Sequence, residues 1–207
     1  LKQRGVRIIG VNPVRSGYNA VADDWIGITP GTDGLLILAL VHCLMAAGKI
    51  DLDYLSRWTN APLLLNEDPD SPDYGLFLRD EAGNKLVIDK KTGQPARWDA
   101  KGVRPDLSGQ LQRDGITHRT VMARLAAKYL DPAYAPEQVA ERCGLTPQQI
   151  RKLAADLART AFDEAIEIQQ SWTDFRGETH QVMVGRPVSF HAMRGISAHA
   201  NGFQTCR

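Results

Sequence analysis

The chain has 207 residues, 43% hydrophobic and 24% charged, with 25 Lys and Arg against 24 Asp and Glu for a formal charge of +1. That is the composition of one or two folded domains. The balanced charge, without a basic stripe, gives no electrostatic case for nucleic acid, and no apolar run reaches the roughly 18 residues that direct membrane insertion requires.

Val6, Ile8, Ile9 and Val11 read as a strand buried on both faces of a parallel sheet. Asn12-Pro13 ends it, because proline brings no ladder donor. A second turn, Thr29-Pro30-Gly31-Thr32-Asp33, opens a helix from Gly34 to Met45 that is apolar nearly all round and therefore expected to be buried. Thr29 or Thr32 is expected to cap it, with Asp33 in the first turn where the positive dipole end favours a carboxylate. Such a strand, loop and helix start present the edge at which open α/β sheets bind ligands. Free N–H groups at that edge suit phosphate or sugar oxygens. A carboxylate such as Asp33 is able to accept two parallel N–H bonds, from arginine or from the edge of a guanine. Spacing alone does not separate this role from that of an ordinary helix-start residue.

Ala47-Gly48 stops the helix, and a short one from Leu52 to Trp58 follows, with Leu52, Leu55 and Trp58 as core positions. Turn signals between short runs, Gly75 to Leu78, Lys85 to Asp89 and Ala96 to Asp99, mark residues 66–115 as a surface insertion of small hairpins. Thr117 is expected to cap a helix through Tyr129, and Pro136-Glu137 opens another that stops at Cys143-Gly144. Thr146-Pro147 starts a third that continues to about Phe162. The last two resemble a helix-turn-helix, but Arg151, Lys152 and Arg159 are too few for a DNA reader, so packing is expected. Trp172-Thr173-Asp174 with Gly177 suggests a loop or hairpin in which His180 is exposed and not a ligand. Arg186 to Met193 reads as a second strand, followed by a glycine-containing loop and a helix starting near Asn201. Cys43, Cys143 and Cys206 form no C-x-x-C pair, so zinc, iron–sulfur and disulfide roles within this stretch are unsupported, and Cys43 is expected in the core.

Val11-Asn12-Pro13-Val14-Arg15, Ala22-Asp23-Asp24-Trp25-Ile26, Pro30-Gly31-Thr32-Asp33 and Asp53-Tyr54-Leu55 through Arg57-Trp58-Thr59-Asn60 form an ordered series. In that order they resemble the guanine-binding segment of the molybdopterin oxidoreductase (dimethyl sulfoxide reductase) superfamily. The resemblance implies an α/β fold, a Rossmann-like open parallel sheet flanked by helices with a hairpin-rich insertion. Residues 1–207 would be an internal fragment of the domain that binds molybdopterin guanine dinucleotide, with 66–115 as a surface insertion within it. It assigns Asn12, Pro13, Arg15, Gly31, Thr32 and Asp33 to one guanosine of bis(molybdopterin guanine dinucleotide), although many relatives carry Asp where this chain has Asn12. It also places Arg194, Gly195, Ala198 and His199 beside the pterin or substrate. Residues 189–207 and the insertion look closest to the polysulfide or thiosulfate reductase and sulfite dehydrogenase branch.

By the same resemblance the protein would be the catalytic subunit of a molybdenum or tungsten oxidoreductase. It would carry out two-electron redox on a small substrate, with a sulfur compound as one candidate. The metal ligand and an iron–sulfur cluster would lie upstream of Leu1, so the chain alone is expected to be inactive. The implied partners are an iron–sulfur electron-transfer subunit, together with a membrane-anchor subunit, at either face of a bacterial inner membrane. The alternative is a metal-free scaffold of the same fold. The missing G-x-G-x-x-G after the first strand argues against an unrelated NAD or FAD domain.

Overall fold

The computed structural model describes residues 2–174, 177–192, 194–198 and 200–206, with the backbone alone at 194 and 195. Along the chain run β1 (Ile9–Val11), β2 (Asp24–Ile26), α1 (Asp33–Ala46), α2 (Leu52–Trp58), β3 (Leu64–Asn66), β4 (Leu86–Ile88), β5 (Pro95–Arg97), β6 (Gln110–Arg113) and β7 (Ile116–Thr120). Then follow α3 (Val121–Tyr129), α4 (Pro136–Cys143), α5 (Pro147–Ala158), β8 (Ile166–Ile168), β9 (Trp172–Thr173), β10 (Thr179–His180), β11 (Met183–Gly185) and α6 (Gly202–Cys206). They form two compact units, one from residues 1–49 with 131–207 and the other from 50–130.

The first unit is organised around α1. Ile26 and Ile28 lie against Leu36 and Ala39 of α1, and Val139, Ala140, Cys143, Leu145, Ile150 and Leu153 close the cluster from α4 and α5. Full burial of Val139 and Ile150 contributes about 1.5–3 kcal/mol each. The α4–α5 pair is therefore a packing element, as its sparse basic residues imply. α4 ends in a left-handed Gly144, and α5 starts with a complete capping box between Thr146 and Gln149. A π-turn over Arg159–Asp163 extends α5 to the length read from sequence.

β1 and β2 pair in parallel, Ile9 with Asp24 and Val11 with Ile26. The remaining sheets among the described residues are antiparallel. Three expectations differ from what is observed here. β1 is three residues long, and Val6 and Val11 are exposed, because β2 is its one neighbour among the described strands. α1 is covered on one flank by α4 and α5, so Leu36 and Ala39 are buried while Ile37 is exposed. Residues 186–192 form no strand. β11 ends at Gly185 after pairing with β8, and the Val188 N–H closes back on the Arg186 carbonyl (2.8 Å) around Pro187, which has no N–H of its own.

The second unit holds the three-stranded sheet β3-β7-β6 and the β4-β5 hairpin, with Leu64, Leu86 and Ile88 buried between them and Leu78 and Leu111 alongside. Besides the hairpins of 66–115 it includes α2 and α3. Asp51 caps α2 by accepting the Tyr54 N–H. Leu52 and Trp58, expected in the core, are exposed, since helical spacing marks an apolar stripe without fixing what covers it. The α3 cap is Thr120, which accepts the Ala123 N–H, and not Thr117. β-branched Ile116, Thr117 and Thr120 lie in β7, the central strand, where β3 and β6 take up the backbone groups a helix would otherwise pair internally.

Candidate functional site

Because β1 and β2 are parallel, their carboxyl ends share one edge. The strands are held at the opposite end by charge. The Asp23 carboxylate accepts the Ile8 N–H (2.7 Å) and pairs with Lys2 (2.9 Å), and both hold it below the usual carboxylate range, the N–H contributing most. Arg7 bonds Asp24 and reaches Asp156 of α5 (3.0 Å), depressing the Asp24 carboxyl. At the carboxyl edge the Asn12 N–H continues the ladder to the Ile26 carbonyl (3.1 Å), and the Trp25 indole N–H donates to the Asn12 carbonyl (2.9 Å). The Asn12 side-chain oxygen accepts the Val14 N–H (3.0 Å), forming an Asx turn over Pro13. An aspartate makes the same turn, so either residue fits here. The Asn12 side-chain NH2 makes no hydrogen bond with the described residues. Pro13 and Arg15 are exposed, and Arg15 has no acidic partner among the described residues.

β2 leads directly into the second turn. The Thr32 N–H donates to the Thr29 carbonyl (3.2 Å), and Gly31 sits at φ +81°, the left-handed position that follows proline in a type II turn. The turn is fastened from outside: the Thr29 N–H donates to the Cys143 carbonyl (2.9 Å) at the end of α4. Gly144 packs so closely that a Cβ there would stand 2.7 Å from Thr29 Oγ1. Thr32 occupies the cap position of α1 without capping it, which corrects the sequence expectation. Its hydroxyl turns back to the Thr29 carbonyl (2.7 Å) and so does not take up the first N–H groups of the helix. Asp33, half-buried in that first turn, makes no side-chain hydrogen bond or ion pair with the described residues.

The carboxyl-terminal segment comes to this same turn. The Asn201 side-chain NH2 approaches the Gly31 carbonyl (3.4 Å), and Thr205 of α6 lies over Gly34. Residues 194–197 form a single 3-10 turn and Ala198 is exposed. The expectation for His199 lies outside the described residues, as does the side chain of Arg194. The structure thus brings Gly31, Thr32 and Asp33 to the 197–205 segment. Asn12 joins them through Ile26 to Ile28 and not by a direct hydrogen bond among the described residues. Sequence reasoning missed Thr29, Asn201 and Thr205 as supports of the turn. A helix start near Asn201 was the available signal.

Burial raises the Cys43 and Cys143 thiols above the ordinary range; Cys143 is a core residue, whereas Cys43, expected in the core, is only partly buried. Among the described residues, Asp174, Glu178 and His180 offer metal-type donors within 4.8 Å of one another. His180 is stacked on Trp172 at 4.7 Å and hydrogen-bonded to Asp174 (3.2 Å), so it already completes a hairpin contact, and we assign no metal there. The second unit carries a shallow groove of about 610 Å³ beside Glu67, Tyr74 and Arg124. Its charges answer one another, Arg124 donating to Glu67 and to the Tyr74 hydroxyl (2.9 Å each), and none of the expected site residues lines it.

No family model matches the chain. Over an alignment of 215 residues the whole chain is 41% identical to 22% of a sulfite dehydrogenase subunit from Allochromatium vinosum. Two further relatives are 28% identical over 76% of the chain. A chlorate reductase subunit from Ideonella dechloratans is matched over 18% of its length, and a putative dimethyl sulfoxide reductase catalytic subunit from Halobacterium salinarum over 19%. The relatives are oxidoreductases, and the chain spans about a fifth of their length. It belongs to the molybdopterin oxidoreductase superfamily.

Proposed function

We propose that this chain holds one guanosine of a bis(molybdopterin guanine dinucleotide) cofactor, within the catalytic subunit of a molybdenum or tungsten oxidoreductase. The observation that carries the reading is Asp33: a half-buried carboxylate without a protein partner among the described residues, in the uncapped first turn of a 14-residue helix. The residues fit the group. Asp33 would accept the N1–H and N2–H of guanine, the Asn12 NH2 would donate to a ribose hydroxyl, and Arg15 and the free N–H groups of α1 would face phosphate. Gly31, with open space where a Cβ would stand, lets the base come close to the backbone. Arg194, Gly195, Ala198 and His199 are assigned to the pterin side.

When bound, the cofactor supplies a metal centre for two-electron transfer; the protein supplies binding, orientation and electrostatics. A sulfur compound is the substrate class favoured by 41% identity to a protein named as a sulfite dehydrogenase. The partners proposed with it are an iron–sulfur electron-transfer subunit, together with a membrane-anchor subunit. The β1–β2 pair is read as one part of a Rossmann-like open parallel sheet, flanked by α1, α4 and α5 and carrying the hairpin-rich insertion.

The test is to purify the full-length protein that carries this chain, hydrolyse it in acid, and quantify released GMP and molybdenum or tungsten per polypeptide. About two GMP per metal are expected. A folded protein with neither metal nor GMP would be the metal-free scaffold and would overturn the reading.

A further inference from the structure

We propose that Asn201 and Thr205 are positioning residues for Asp33, latching the start of α6 onto the turn that begins α1. The inference rests on the guanosine reading above and names the groups that set the base carboxylate in place. Two contacts between segments about 170 positions apart in sequence, and one within the carboxyl-terminal segment, carry it. The Asn201 NH2 approaches the Gly31 carbonyl at 3.4 Å. Thr205 seats against Gly34 so closely that a Cβ there would lie 2.9 Å from Thr205 Oγ1. Thr205 is in turn tied to Asn201, its N–H and hydroxyl both donating to the Asn201 carbonyl (3.0 Å each).

Gly31 and Gly34 flank Thr32-Asp33 on either side, so the latch grips the chain just before and just after the carboxylate. The far side of the same turn is held by Thr29 on Cys143. Asp33 itself accepts nothing from the described residues, so its direction is set by the backbone these neighbours clamp. Gly202 is buried, and a Cβ on it would meet the Ser197 carbonyl at 2.2 Å, so Ser197 packs directly on the start of α6.

A carboxylate out of line loses the paired N–H bonds that tell guanine from adenine, while ribose and phosphate contacts are unaffected. The experiment therefore reads selectivity, which a merely structural loss does not move. Cofactor-free full-length protein is titrated with GDP and with ADP. Asn201→Ala and Gly34→Ala are each expected to lower the GDP-over-ADP preference at least tenfold, with ADP affinity kept within about twofold. Thr205→Ala, which removes the same seat on Gly34 without adding an atom, is expected to lower the preference in the same direction. Retained preference in Asn201→Ala and Gly34→Ala, alongside its loss in Asp33→Asn, would overturn the latch and leave the guanosine reading standing. No GDP preference in the unaltered protein would overturn both. Parallel loss of GDP and ADP binding in the single variants would show a general collapse of the site and would also refute the positioning role.

Discussion

Gly144 fastens the Thr29–Asp33 turn to the helical core, and replacing it by alanine puts that arrangement to a quantitative test. Gly144 closes α4 at φ +69°, where an L side chain costs about 1–2 kcal/mol. The added methyl would also lie 2.7 Å from Thr29 Oγ1, close to the hydrogen bond from the Thr29 N–H to the Cys143 carbonyl, and relieving that overlap costs about 1 kcal/mol more. The expected destabilisation of Gly144→Ala is therefore about 2–3 kcal/mol, a large share of a typical domain's 5–15 kcal/mol. The two contributions separate in a double-mutant cycle. Thr29→Ala removes the obstructing hydroxyl, so in its background Gly144→Ala should cost about 1 kcal/mol less. Urea unfolding of the chain and its three variants, followed by tryptophan fluorescence, measures this coupling. A Gly144→Ala effect below 0.5 kcal/mol, or one that Thr29→Ala leaves unchanged, would show that the turn is not seated on α4 as described.

Three other outcomes follow from the same contacts. Thr146→Ala breaks the capping box of α5 and should lower stability by about 1 kcal/mol in the same urea assay. His118 is buried on β7 with Nδ1 unpartnered, and burial pushes its imidazole below the ordinary 6.5, so the unfolded chain binds its proton first. Its contribution is therefore fully present above about pH 6.5 and falls as pH drops from there toward the folded-state value. His118→Leu should flatten that part of the stability–pH curve. Arg7 bridges Asp24 and Asp156 on a partly exposed face, so Arg7→Ala should cost less than about 1 kcal/mol, and 1 M salt should shrink the difference.

The helices α4 and α5 were legible in the sequence because their start and stop chemistry is local: Pro136, Gly144 and Thr146-Pro147 act within a turn of their own positions. The Thr117 expectation failed because the competing interaction is not local. β3 and β6 pair with β7 across 52 and 9 positions, as in Asn66 with His118 and Gln110 with Arg119, and that pairing draws Thr117 into the strand. Exposed Ile37, Leu52 and Trp58 show the same limit from another side, since periodicity names an apolar face and not its cover. At the candidate site, Asp33 and Asn12 could be singled out because they stand beside recognisable turns. The long-range contacts of Thr29, Asn201 and Thr205 could not be read, since each acts on a backbone group or glycine more than 100 positions away.

The central claim is that Asp33 grips a guanine base. Asp33→Asn keeps the size of the side chain but turns one acceptor into a donor facing the base N–H groups. The loss of a charge-assisted pair, about 1.5–3 kcal/mol, corresponds to roughly 10- to 150-fold weaker binding. The direct measurement is GMP and metal content of full-length Asp33→Asn protein after gel filtration, with circular dichroism to establish that it remains folded. The account predicts a folded protein that has lost most of its GMP and metal. Full retention of both in Asp33→Asn and in Asp33→Ala would contradict it.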